Sequence, residues 1–153
     1  MTVYVGVDPG ETTGFVITRE ANPFVILQAF DLEKCTPFLV GLHLRGILRD
    51  VSRNTIVICE QSVAYGSQFP SELRHNIRIE GAIYFVCHDL GIPVYFRNPD
   101  ARTSYQWLAD YRMRTFKKVL HGRDALAHVL AYLHETPTTE EVQWKLAHSV
   151  LIK

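Results

Sequence analysis

Hydrophobic and polar positions near the start of the chain alternate strictly. Val3, Val5 and Val7 alternate with Tyr4, Gly6 and Asp8, the period of two expected of a strand. Pro9-Gly10 breaks that run, and Gly14 to Arg19 predicts a second strand that folds back as a hairpin. Asn22-Pro23 turns the chain into a third strand, Phe24 to Phe30. Thr36-Pro37 then reads as a helix start, an N-cap followed by proline at the first helical position. Val40, Leu44, Ile47, Leu48 and Val51 recur at helical spacing and leave Arg45, Arg49 and Arg53 to solvent.

Thr55 to Cys59 is a short unbroken apolar run ending in Glu60, as in a buried central strand. Pro70-Ser71-Glu72 opens a long helix that stops at Gly91, and Pro93 to Phe96 is a short strand. The run after Pro99 is helical or loop, and Asp124 to His134 is an apolar helix. Thr138 and Glu141 form a capping box for a last helix through Val142, Leu146 and Val150. The order β-β-β-α-β-α-β-α-α predicts an α/β fold. Its mixed five-stranded sheet has three antiparallel strands followed by parallel ones, with helices on both faces.

The 153 residues contain no internal repeat, low-complexity tract or linker, so a single domain over 1–153 is expected. At 47% hydrophobic the chain is too apolar for a disordered one. No apolar run approaches the roughly 18 residues needed to cross a bilayer. MTVYVGVDPG lacks the basic start and long apolar stretch of a secretion signal. Cys35, Cys59 and Cys87 are odd in number and scattered, which suits buried free thiols in a reducing cytosol. A soluble cytoplasmic protein is the expectation.

The formal net charge is zero but unevenly placed. Residues 1–44 carry five acids against Arg19 and Lys34, a balance of −3. Residues 97–123 carry seven bases against Asp100 and Asp110, a balance of +5, interleaved with Tyr105, Trp107, Tyr111 and Phe116. Such a segment suits phosphate neutralisation with rings stacking between. An ordinary solvated helix face with its aromatics in the core would read the same way.

Asp8 and Glu60 each end an apolar strand, where a carboxylate is costly to bury without compensation. In an open α/β sheet that edge is also where ligands bind. Asp-Pro-Gly is good turn chemistry, which could account for Asp8, but a buried strand ending in Glu60 has no such explanation. Asp124 opens a helix, where capping alone could account for it. His121 stands three residues before it.

VGVDPGETTGFVI, IVICEQ, EGAIYFVCHDLGIPVYFRNP and HGRDALAHVLAYL together resemble, in order, the motifs of the RuvC family of Holliday-junction resolvases, in the RNase H-like superfamily. The resemblance covers about residues 3–134. It implies an RNase H-like fold and a metal-dependent endonuclease acting on four-way DNA junctions in recombination and repair, giving 5′-phosphate and 3′-hydroxyl ends. It implies that Asp8, Glu60 and Asp124 are carboxylate metal ligands. His121, where the family carries a fourth carboxylate or a histidine, would be a ligand or position the attacking water. Hard oxygen donors suit Mg²⁺ or Mn²⁺, and two ions about 4 Å apart suit in-line displacement at phosphorus.

Three departures suggest a divergent member, of the kind a phage genome could carry, working in the bacterial cytosol or nucleoid. The turn after Asp8 is one residue shorter than the common family turn. Val63 stands where the family often carries a base-wedging aromatic, leaving Tyr65 or Phe69 to substitute. The stretch from Pro99 to Asp124 is shorter, and the family's Gly- and Lys-containing DNA-binding motif is absent. Phosphate contact is therefore assigned by charge to Arg112, Arg114, Lys117 and Lys118.

A sugar kinase or actin-type ATPase would share the Asp8, Gly10, Thr12 phosphate-loop pattern but needs two such domains, more than this length holds. An RNase H-like nuclease acting on RNA or other branched DNA, and a non-cleaving branched-DNA binding module, stay open as alternatives. No ligand spacing supports a zinc module. A near two-fold junction needing two opposed cuts favours a C₂ homodimer. The helix from Ser71 to Leu90 is the candidate interface, because Leu73, Ile77, Ile79, Ile83, Val86 and Leu90 spread wider than one core-facing stripe. Full burial of those positions within the monomer is the alternative.

Overall fold

The computed structural model describes residues 1–20, 24–51, 54–63 and 71–135. The expected last helix around Thr138 to Val150, and Tyr65 and Phe69, lie outside the described residues. Five strands form one sheet: β1 (Val3–Asp8), β2 (Thr13–Arg19), β3 (Val25–Leu32), β4 (Thr55–Glu60) and β5 (Val94–Arg97). Their order is β3-β2-β1-β4-β5. β1–β2 and β2–β3 are antiparallel, and β1–β4 and β4–β5 are parallel. This is the mixed sheet, three antiparallel strands followed by parallel ones, that the element order predicts.

The helices are α1 (Pro37–Asp50), α2 (Ser71–Asp89), α3 (Gln106–Arg112) and α4 (Leu120–His134). Pro99–Tyr105 is a 3₁₀ turn, the segment for which the sequence left helix or loop open. Val3, Val5 and Val7 enter one core with α1 and α2. Tyr4, Val16 and Ile58 enter a second core with α3 and α4. Both faces of β1 are covered, so all six of its residues are buried even though their side chains alternate. Thr36 caps α1, its Oγ1 accepting the Leu39 N–H at 3.1 Å.

The sequence places the start of the last described helix at Asp124, where a capping role could explain that acid. In the structure α4 begins at Leu120, so Asp124 lies in its second turn and is not a cap. The physical reason lies on another strand. Val119, the N-cap residue, makes no side-chain cap hydrogen bond. Instead the Asp31 carboxylate on β3 accepts the N–H of His121 at 3.2 Å and of Gly122 at 2.8 Å. Two of the four donors a helix start leaves unpaired are thereby satisfied from ninety residues away.

The sheet register explains how α4 comes so close. Asp8 pairs with Gly14, and Gly14 with Asp31, forming one rank across three strands. A Cβ on Gly14 would overlap the carbonyl of His121. Two ranks inward, a Cβ on Gly6 would lie 2.7 Å from the Ala125 carbonyl oxygen and 2.8 Å from Val129. Bare backbone at both positions lets α4 lie directly on the sheet, its first turns level with the end of β1.

Candidate active site

Asp8 and Glu60 end two adjacent parallel strands, with Val7 in register with Cys59 immediately before them. The sheet therefore delivers both carboxylates to the same edge, as their strand-end positions imply. α4 crosses that edge and adds its own residues at helical spacing. His121 Nδ1 lies 2.9 Å from Asp8 Oδ2. Ligand atoms of Asp8, His121 and Asp124 all lie within 4.8 Å of one another, a grouping able to hold a metal ion. Glu60 stands beside this group, bridged to it by Arg102. Arg102 Nη1 is 2.6 Å from Asp124 Oδ2, and Arg102 Nε is 3.5 Å from Glu60 Oε2.

All five residues line a cleft of about 1050 Å³. Its walls come from the turn Pro9 to Thr12, from Lys34 and Cys35, and from the first turns of α2, including Arg74, His75 and Arg78. Asp8 is 6% exposed, on the floor. Burial pushes its carboxyl up to about 7; the charges of Glu60 and Asp124 add to this, and the His121 hydrogen bond opposes it. Glu80 on α2 is also raised, by burial first and then by Glu60, while it accepts the Ser62 N–H at 2.6 Å. For Arg102 burial opposes the charge, but Glu60, Asp124 and Asp8 outweigh it and its pKa is raised. These carboxylates crowd together with one guanidinium among them.

That guanidinium was not legible as part of the site. Arg102 counted only as one of seven bases in a basic segment, yet it points at the acids. A second residue missed by sequence reasoning is His128, fully buried, with Nε2 2.7 Å from Glu60 Oε2. Its signal was a histidine four residues after Asp124, on the same face of an otherwise apolar helix.

Arg112, Arg114, Lys117 and Lys118 do not line the cleft. Arg112 lies over the Phe24 ring at 5.6 Å, and Arg114 over the Tyr111 ring at 4.4 Å, both beside a separate shallow groove. The aromatics of that segment divide. Trp107 and Tyr111 are exposed, whereas Tyr105 and Phe116 pack against the α4 side of the core.

No known protein-family model matches the sequence, and no curated protein does either. The three-dimensional structure does have relatives. Thermus thermophilus RuvC in complex with a Holliday junction substrate superposes with a TM-score of 0.66 at 16% identity, over 86% of this chain and 92% of that one. RuvC from the same organism alone gives 0.65 at 18% identity, over 86% and 93%. The fowlpox virus Holliday junction resolvase gives 0.58 at 14% identity, over 86% and 96%. This chain has the RuvC fold. On that fold the end of β1, the end of β4 and the start of α4 bring Asp8, Glu60, His121 and Asp124 to one cleft. No helix among the described residues is long and apolar enough to cross a membrane.

Proposed function

We propose that this protein is a metal-dependent, structure-selective endonuclease that resolves four-way DNA junctions, leaving 5′-phosphate and 3′-hydroxyl ends. One observation carries the reading: Asp8, His121 and Asp124 converge within 4.8 Å on the floor of a large cleft, on a fold shared with two junction resolvases. The donor set fits hard divalent cations, being carboxylate oxygens with one imidazole. Asp8, Asp124 and His121, with Glu60 beside them, would hold Mg²⁺ or Mn²⁺, two ions per site. Such ions polarise a phosphodiester and offset the charge that develops at its oxygens. The raised pKa of Asp8 supports the same reading, since crowded acids on a buried floor are stabilised by a cation.

The chain's own residues supply the rest. Lys34, Arg74 and Arg78 line the cleft walls, where they would neutralise the phosphates that flank the cut. Asp31 holds the backbone of the α4 turn that carries His121, whose imidazole lies 2.9 Å from Asp8. Arg102 holds Glu60 and Asp124 side by side. A second copy of the chain would supply the opposed cut. The exposed stripe Ile77, Tyr84 and Phe85 on α2 is the face for it, because Ile79, Ile83 and Val86 are used in the monomer core.

The test is a gel assay comparing a four-way junction, linear duplex and an RNA–DNA hybrid, with Mg²⁺, Mn²⁺, Ca²⁺ or chelator. Paired cuts in the junction alone, with Mg²⁺ or Mn²⁺ and not with Ca²⁺, are expected. Asp8→Asn, Glu60→Gln and Asp124→Asn should each abolish cutting and keep junction binding. Cutting of the hybrid instead would move the protein to the RNA-directed nucleases. Junction binding without any cutting would make it a binding module.

A further inference from the structure

We infer that His128 is a positioning residue for Glu60, a role that rests on the nuclease reading of the cleft. The α4 helix carries His121, Asp124 and His128 at positions i, i+3 and i+7, which lie along one face over two turns. The first two reach the floor of the cleft. The third lies deeper, with no exposed surface, beneath the end of β4. A histidine so buried needs partners for both ring nitrogens, and among the described residues this one has a partner for only one of them.

Nε2 lies 2.7 Å from Glu60 Oε2, while Nδ1 is buried and makes no hydrogen bond among the described residues. A carboxylate oxygen only accepts, so Nε2 carries a hydrogen and donates it, and Nδ1 is left without a partner among the described residues. Leaving a buried nitrogen unpaired costs stability that an apolar side chain would not lose. A leucine of similar volume would avoid that penalty and match the surrounding Leu126, Val129 and Leu130. The one thing His128 provides that leucine cannot is a fixed donor aimed at Glu60.

Glu60 needs such a donor. It is the last residue of β4, with Arg102 at 3.5 Å and His128 at 2.7 Å, and its charge helps raise the pKa of both Asp8 and Glu80. Arg102 is part-exposed and shared with Asp124, so it does not by itself fix one rotamer of Glu60. His128 does, because it is fully buried on a helix that packs directly on the sheet at Gly6. The contact occupies Oε2 from the protein side and presents the rest of the carboxylate to the cleft. A histidine supporting a ligating carboxylate inverts the common arrangement, in which a carboxylate supports a ligating histidine.

Four variants of the full chain separate the possibilities. His128→Gln keeps a donor near the position of Nε2, His128→Asn does not reach it, and His128→Leu removes it. Glu60→Gln reports on Glu60 itself. The readouts are Mn²⁺ affinity by calorimetry without DNA, junction cleavage at saturating junction, melting temperature, and imidazole ¹⁵N–¹H correlation spectra. In wild type the spectra should show His128 protonated at Nε2, with the signal displaced in Glu60→Gln. His128→Leu and His128→Asn should lose about tenfold to a hundredfold in Mn²⁺ affinity and kcat. His128→Gln should recover most of both, and the double variant Glu60→Gln/His128→Leu should be no worse than Glu60→Gln.

His128→Leu that binds Mn²⁺ and cuts like wild type, beside an impaired Glu60→Gln, overturns the positioning role and leaves the nuclease reading intact. Unimpaired Glu60→Gln removes Glu60 from the site and the positioning role with it. Should His128→Leu melt far below wild type, the comparison of Gln with Asn and the wild-type spectrum decide the matter. Equal defects in Gln and Asn, or a ring proton on Nδ1 with none on Nε2, overturn the assignment.

Discussion

The Asp31 carboxylate accepts the backbone N–H of Gly122 at 2.8 Å, joining the third strand to the first turn of the helix that closes the cleft. The same carboxylate takes the N–H of His121, and the His121 ring reaches Asp8 on the first strand. A local cap would stabilise α4 without fixing where it sits. A cap from β3 ties the helix start to the rank Asp8–Gly14–Asp31 and so sets the distance between His121 and Asp8.

Removing Asp31 should therefore affect cutting more than stability. Asp31→Ala should lower stability by about 1–2 kcal/mol, the scale of a lost helix cap. Junction cleavage should fall by more than tenfold, because His121 and Asp124 lose their fixed height above Asp8. Melting curves and single-turnover cleavage of the same preparations check both parts. A loss of stability with unchanged cleavage would reduce Asp31 to a structural cap.

The raised pKa of Asp8 makes a stability prediction with a definite sign. Its ordinary value is 3.8 and its folded value about 7, so between those limits the native state binds more protons than the unfolded one. Stability contributed by this group then falls as pH rises through that window, and the full penalty holds above it. Asp8→Asn removes the penalty. Without metal, the variant should melt above wild type at pH 8 by roughly 3–6 °C, about 1–2 kcal/mol for a chain of this size. The gain should shrink toward zero near pH 4. Scanning calorimetry in chelator at pH 4, 6 and 8 tests it, and a constant difference across the series would refute it.

The contrast between Asp8 and His128 shows what the sequence could reveal. A carboxylate ending an apolar strand stands out because burying it is costly, so Asp8 and Glu60 were visible as anomalies. His128 sits inside an apolar helix, and only the position of the neighbouring strand shows that its ring meets Glu60. The start of α4 was misread for a related reason: local sequence favoured Asp124 as the cap, and the actual cap belongs to Asp31. Element order and strand pairing were legible because they follow from short-range periodicity. Arg102 shows the limit of arguments from charge, since one count of bases combined a residue inside the site with others stacked on Phe24 and Tyr111.

Arg102 sits where a cation is favoured, so it should compete with metal. Arg102→Gln leaves Glu60 and Asp124 without their shared counter-charge, raising the negative potential at Asp8. Metal-free stability should drop, and Mn²⁺ affinity without DNA should rise several-fold. Calorimetric titration against wild type checks the affinity, and weaker binding in the variant would show that Arg102 instead supports the metal geometry.

The exposed stripe on α2 predicts a defined assembly. Phe85 is 65% exposed and Tyr84 45% exposed, on the side of the helix opposite the buried Ile79, Ile83 and Val86. Phe85→Glu should convert a dimer into monomers in sedimentation velocity while leaving the melting temperature nearly unchanged. Paired cuts in a junction should then separate into single nicks. A wild-type chain that sediments as a monomer at micromolar concentration, with and without junction, would remove this role from α2.

Salt dependence should locate the path of the phosphates. Arg74 and Arg78 line the cleft beside Asp8 and Glu60, whereas Lys117 and Lys118 do not, although all four were equally basic as sequence. Each phosphate neutralised contributes about 0.9 to the slope of log K against log salt. Replacing Arg74 and Arg78 with glutamine should therefore flatten that slope by about 1.8, measured by junction binding in Ca²⁺ from 50 to 200 mM salt. Replacing Lys117 and Lys118 should change it less, since those lysines would meet only DNA that leaves the cleft along α3. The opposite ranking would place the duplex over the basic segment and leave the walls of the cleft free of backbone contacts.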